Sequence, residues 1–329
     1  MPYLLRIKWL KKFCSKITFC KIIAHNRRFF CMKKRYFILF LLIFFLAFSC
    51  KKIETPAYLL LSADDFKINT DNFNKDHDTD YDNEALEIIR KQEFKDVFVS
   101  LNGKELGYWQ LPCKIPLLPD YTKENTIRVT PCTRVPNVTV NTVPYYFLLS
   151  AERRLTLEKE GEYRLSDLNF EYAKDVTFPI LETFSQFTDF EPRDSIYTAH
   201  MEIYEGMGRI ALEDSLDFFN VVSRKVDLFG QGVRQYWEME YKCVDGEMTT
   251  YLDFQSSLAT LPQQDMIVLP ATTSWKKIYI DLTEVVSWAV GTSTQISLRL
   301  GIRGLKKADS QNAYFYFKHV KLITMPALY

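Results

Sequence analysis

From Asp96 to the end of the chain, almost every patterned stretch alternates apolar and polar residues with a period of two. That alternation is the strongest constraint on the fold, because it is the signature of strands with one face buried. In Asp96–Leu101, Val97, Val99 and Leu101 share a face, and Asn102-Gly103 follows at once. An Asn-Gly pair is a strong hairpin signal, since both residues tolerate the positive φ that a tight turn requires. The pattern predicts a return through 105–111, a strand at 115–118, a turn at 119–123 and a further strand at 126–129. Strands are predicted again at 145–149, 156–157 and 163–170, and then at 234–242, 275–282, 295–302 and 313–323. Only 281–289 invites a short helix, with Thr283 as its cap.

The fold class read from this pattern is all-β: two antiparallel β-sandwiches, the second a jelly roll. The expected organisation is a basic leader and signal over 1–49, a tether over 50–57, a first sandwich over 58–174 and a jelly roll over 175–329. Hydrophobic content of 47% and aromatic content of 15% exclude a disordered chain. Residues 1–49 carry eleven of the 42 basic residues and none of the 41 acidic ones, so the remainder has a formal charge of −10. An acidic body argues against nucleic acid as a partner.

Met32-Lys33-Lys34-Arg35, an apolar run over 36–48 and then Ser49-Cys50 have the layout of a secretory signal. The run is shorter than the roughly 20 residues a spanning helix needs. Leu46-Ala47-Phe48-Ser49-Cys50 resembles a bacterial lipobox, in the loose form of Bacteroidetes lipoproteins. That resemblance implies cleavage before Cys50, a lipid on its thiol, and attachment to a membrane through the lipid anchor. Lys51 and Lys52 follow Cys50, with no inner-membrane retention aspartate, which points to the outer membrane. The side it faces stays open. Residues 1–31 read either as a segment upstream of a start at Met32 or as a long basic leader.

The stretch from Asp96 to Pro131 resembles PEGA-type modules, small β-sandwiches of bacterial surfaces. The order of FPILETF, WEMEYK, WKKIYIDLT and AYFYFKHVKL over 175–325 resembles a galactose-binding-like jelly roll, the fold of many carbohydrate-binding modules. Such modules often hold a structural calcium through an acidic residue in the last strand. At the matching place this chain has Phe317-Lys318-His319, which puts that calcium in doubt.

The richest acidic cluster is Asp76, Asp78, Asp80, Asp82, Glu84 and Glu87, spaced like an EF-hand loop but with Tyr81 where the sharp turn needs glycine. Calcium is the one cofactor considered, with Asp76, Asp78, Asp80, Asp82 and Glu87 as candidate ligands, against a plain solvated loop. Cys113 and Cys132 are a candidate disulfide, worth about 3 kcal/mol by loop entropy. The alternative is two buried thiols, because hairpin counting leaves the pair about two residues out of register. Glu238 and Glu240 share a strand face roughly 7 Å apart, near glycosidase spacing. The third acid of such sites is missing, so a solvated face is favoured over catalysis. His77, His200 and His319 are dispersed, and no Gly-x-Ser-x-Gly is present. Asp194-Ser195-Ile196 and Asp214-Ser215-Leu216 resemble Bacteroidetes O-glycosylation sites.

Tyr236, Tyr279, Trp288, Tyr314 and Tyr316 fall on or near faces assigned to solvent, where ring faces suit the C–H surfaces of sugars. The alternative is that loops or the first sandwich cover them. The reading is a non-catalytic, membrane-anchored envelope lipoprotein that binds glycan or a cell-surface partner. A structural lipoprotein docking other outer-membrane proteins is the alternative, and a glycoside hydrolase is the third.

Overall fold

A computed structural model describes residues 55–136, 142–196, 199–227, 232–256, 261–292 and 296–326. The leader, its apolar run and Cys50 lie outside the described residues. The chain from Thr55 to Tyr329 forms one compact unit.

Its first part runs β1 (Ala57–Leu61), β2 (Phe66–Asn69), α1 (Phe73–His77), α2 (Asn83–Arg90), β3 (Asp96–Leu101), β4 (Lys104–Gln110), β5 (Cys113–Leu117) and β6 (Glu124–Arg134). It closes with β7 (Thr142–Pro144), β8 (Ala151–Thr156), β9 (Glu162–Arg164) and β10 (Leu168–Glu171). The hairpin at Asn102-Gly103 joins β3 and β4, with both residues at positive φ (52° and 78°). β3 pairs β4 and β6 antiparallel, and β6 also pairs β7 and β8. Two short pairs, β9 on β1 and β10 on β2, run parallel in this otherwise antiparallel arrangement. Alternate residues of these strands (Leu59, Val97, Val99, Ile127, Val129 and Phe170) fill one core. The strand expected over 145–149 is instead a turn carrying the buried rings Tyr145 and Phe147.

The second part begins with β11 (Thr177–Glu182), β12 (Glu191–Pro192), β13 (Glu202–Tyr204), β14 (Met207–Leu212), β15 (Phe218–Val222) and β16 (Val226–Asp227). It continues through β17 (Arg234–Val244), β18 (Gly246–Ser256), β19 (Gln264–Leu269), β20 (Thr272–Asp281), α3 (Thr283–Thr292), β21 (Ile296–Lys306) and β22 (Ala313–Met325). Two six-stranded sheets result. One is ordered β13-β14-β22-β17-β20 with β11 on β22; the other is β12-β15-β21-β18-β19 with β16 on β21. The chain crosses repeatedly between them, as a jelly-roll sandwich does. Phe219, Trp237, Met239, Leu252, Leu300, Phe315 and Phe317 fill the space between. The all-β expectation therefore holds, with the later strands close to where alternation put them.

The outer face of the β13-β14-β22-β17-β20 sheet is divided in two. Tyr236, Tyr279, Ile323 and Met325 point away from the sandwich interior and belong to the first core. The rest of that face stays open. The division depends on a bulge at His319, whose φ is 50°. Before it, Glu240 pairs Lys318 and Tyr241 pairs Phe317; beyond it, Glu238 pairs Lys321 and Trp237 pairs Leu322. One extra residue reverses which side chains face in. Phe315 and Phe317 point into the sandwich, and after the bulge so do Val320 and Leu322.

Candidate functional site

Glu238, read from the sequence as part of a solvated face, is fully buried. Its carboxylate accepts hydrogen bonds from the Tyr145 hydroxyl and from Gln92 Nε2 at 3.1 Å. It is ion-paired with Lys321 at 3.1 Å and approached by Lys277 at 3.8 Å. Both lysine side chains are also buried. The correction has a simple cause: the first part of the chain covers this half of the sheet. Lys321 additionally donates to the carbonyls of Ile88 and Lys91, both at 3.3 Å. The Ile88 carbonyl, in the last turn of α2, also accepts from the Lys91 amide at 3.1 Å, and a cation suits that end of the helix dipole. The helix starts with Asp82, which accepts from the Ala85 amide at 2.8 Å.

Two ammoniums share one carboxylate here, and the titration behaviour reflects it. Burial pushes the Glu238 carboxyl up, but Lys321, Lys277 and Tyr145 outweigh it and hold the group below its ordinary value. Burial first, and Lys321 second, push Lys277 down to about 8 against the pull of Glu238 and Glu240. Burial holds the Tyr145 and Tyr279 hydroxyls well above their ordinary value. Glu240 is half-buried and bonded to His319 at 2.9 Å. A hydrolase reading built on Glu238 and Glu240 therefore has no open carboxylate at Glu238.

The buried cluster also corrects the expected sugar-binding set. Tyr236 and Tyr279 are 4% and 6% exposed, too little to offer a ring face. Tyr279 takes the Glu93 amide at 3.0 Å and lies near Phe94 and Tyr145, and Tyr236 packs edge-on against Phe147. Trp288 is 49% exposed but stands on α3. That helix follows Asp281, which pairs Tyr236, at the end of the sheet opposite Trp275.

Tyr314 and Tyr316 lie on the open half. Their rings are 6.5 Å apart and nearly parallel, at 29°. Tyr316 stands opposite Arg209 of β14 on one side and Lys242 of β17 on the other. The Lys242 ammonium sits 4.3 Å from the Tyr316 ring centre and 5.6 Å from that of Trp275; Lys318 sits 4.7 Å from Trp275. The Tyr314 hydroxyl donates to Glu213 at 2.9 Å. Arg209 donates to Glu202 at 2.6 Å and stacks at 4.1 Å on Tyr204. The result is a strip of rings with cations beside them, built on five adjacent strands. Trp275 and Tyr204 were not singled out from the sequence. The signal for Trp275 was available, because it shares the outward face of β20 with Lys277 and Tyr279.

The other sequence candidates are dispersed. Cys113 pairs Leu61 in the β5-β1-β9 sheet, whereas Cys132 pairs Asp96 in the β3-β6 sheet, and both are free thiols. The expected disulfide is thus corrected: the two strands belong to different sheets. The acidic run 76–87 spans the end of α1 and the start of α2. Asp82 caps α2, Glu87 pairs Arg90 at 2.8 Å within it, and Asp78 ends α1 in a left-handed conformation. Among the described residues no three His, Cys, Asp or Glu side chains gather as a metal site, so Asp76, Asp78, Asp80, Asp82 and Glu87 do not converge. His77 stacks on Phe73 at 3.9 Å. A cavity of about 670 Å³ is lined by Asp214, Asp217, Lys306 and Lys307, with Lys306 held by Asp217 and by two carbonyls.

The fold defines an all-β protein with a jelly-roll sandwich carrying an open aromatic strip on one sheet. No family model matches the chain, and no curated protein does. Among solved structures it is similar to a family 29 carbohydrate-binding module from Piromyces equi. That match has 7% identity and a TM-score of 0.32, and covers 46% of this chain and 91% of that one. It is similar also to a family 29 module in complex with mannohexaose (8%, TM-score 0.31, 46% of this chain and 93% of that one). A family 4 carbohydrate-binding module matches at 13% identity and TM-score 0.29, covering 38% and 89%. Scores this low leave the fold assignment to the strand order itself. No described helix is long and apolar enough to cross a membrane.

Proposed function

We propose that this protein is a membrane-tethered, non-catalytic glycan-binding module, with the open strip as its binding face. The observation that carries the reading is the set of Trp275, Tyr314 and Tyr316 on one rigid, solvent-open sheet face. Half-buried rings with polar edges suit stacking against sugar C–H surfaces, and a sheet holds them without ordering cost. The lipobox-like Leu46–Cys50 run supports lipid attachment at Cys50 in a Bacteroidetes-type envelope, which makes the tether part of the proposal. The test is a polysaccharide retention screen on the full chain. Trp275→Ala and Tyr316→Ala should each weaken retention about tenfold, the scale of one aromatic contact. Tyr279→Ala, a buried ring, should act through stability instead. No retention by any polysaccharide would overturn the reading and favour docking of other envelope proteins.

A further inference from the structure

On the open half of the sheet, Lys242 and Lys318 make no ion pair with a carboxylate among the described residues; their contacts are ring faces. Glu240, bonded to His319, lies near enough to Lys318 for that charge to help hold its carboxyl down. Several other surface cations of the sandwich are paired, among them Arg209 with Glu202, Arg193 with Asp253, Arg303 with Asp265 and Lys306 with Asp217. Past residue 49 the chain has ten more acidic than basic residues, so the unpaired lysines do not reflect a shortage of acids. Both ammoniums flank the same indole, and their ring distances of 5.6 and 4.7 Å place them within about 10 Å of each other, about one Debye length at 0.1 M salt. The acids of the strip are engaged at its margins, Glu202 by Arg209 and Glu213 by the Tyr314 hydroxyl. The centre of the strip is therefore two like charges over two rings, with Glu240, the cross-strand partner of Lys318, as the neighbouring carboxylate and that group hydrogen-bonded to His319.

That arrangement discriminates between sugars. A neutral ring stacking on Trp275 or Tyr316 must displace an ammonium from the ring face and offers it no charge in return. An anionic ring takes the same face and supplies the carboxylate that the displaced ammonium then binds, through the stronger charge-assisted kind of hydrogen bond. We propose that the strip's ligand is an anionic glycan, its uronate carboxylate held between Lys242 and Lys318 and a sugar face resting on Trp275 or Tyr316. The inference rests on the glycan reading of this same strip.

The test is titration calorimetry of the full chain with hexagalacturonate and, as the neutral probe, cellohexaose. Hexagalacturonate should bind about tenfold more tightly. Lys242→Gln and Lys318→Gln should each weaken it about three- to tenfold, while cellohexaose affinity should hold or rise, because no ammonium then has to leave the ring face. Both are surface substitutions, and unchanged thermal midpoints would show that the fold is intact. Cellohexaose binding as well as or better than hexagalacturonate, or anionic binding that ignores both substitutions, would overturn the inference and leave the glycan reading standing. Binding of neither probe, together with no retention in the polysaccharide screen, would overturn both.

Discussion

Glu238→Gln tests the physical account of the buried cluster most directly. The substitution keeps the side chain's shape and leaves Lys321 and Lys277, whose side chains are 0% and 1% exposed, without their carboxylate. Removing one partner of a buried ion pair costs about 3–5 kcal/mol, because the remaining charge stays buried and uncompensated. That is a large share of a typical 5–15 kcal/mol stability. At about 2–4 °C per kcal/mol, the thermal midpoint should fall by roughly 6–20 °C at pH 7. The pH dependence supplies a second readout. In the wild type Lys277 is already pushed down to about 8, with Glu238 among the groups opposing that fall. Without Glu238 both lysines release their protons more readily in the folded state, while the unfolded value stays near 10.4. A lysine with a depressed folded pKa binds fewer protons folded than unfolded, so its contribution to stability rises with pH between the two values. The deficit of Glu238→Gln relative to wild type should therefore shrink from pH 7 to about 9.5, below the range where unfolded tyrosines ionise near 10. Groups common to both proteins cancel in that difference. Adding Lys321→Met to Glu238→Gln should recover part of the loss. Circular-dichroism melts across pH measure all three effects. A midpoint within about 2 °C of wild type at pH 7, or a deficit that does not shrink with pH, would refute the reasoning.

Two further predictions concern packing and thiols. Gly301→Ala would put a Cβ 2.2 Å from the Tyr251 ring that lies across it, so it should destabilise by about 1–3 kcal/mol, readable by urea denaturation at unchanged m-value. Cys113 and Cys132 should both be labelled by a thiol reagent after unfolding without reductant, which a disulfide would prevent. In the native state half-buried Cys113 should react first, because burial pushes the Cys132 thiol up to about 12.

Strand existence was legible because alternation reports one-sided burial, and it held for β3, β17, β20 and β22. The Asn102-Gly103 hairpin was legible because its turn chemistry is local. Which outward face meets water was not, since that depends on residues 93 to 186 positions away in the chain. Tyr236, Glu238 and Tyr279 read as exposed on alternation alone, yet Tyr145, Gln92 and Glu93 close over them. The acidic run at 76–87 reads as a loop until Asp82 is recognised as the cap of α2, a helix of only eight residues whose C-terminal end is met by Lys321 from β22 and by Tyr172. By itself, the sequence determined the all-β class, the hairpins, the acidic body and the outward placement of Tyr314 and Tyr316, all consequences of side-chain period and local turn preference. Only the tertiary structure decided where the β22 alternation reverses and which half of the sheet is covered. A one-residue bulge at His319 changes every facing beyond it, and the covering comes from a distant part of the chain, so neither leaves a periodic trace in the sequence.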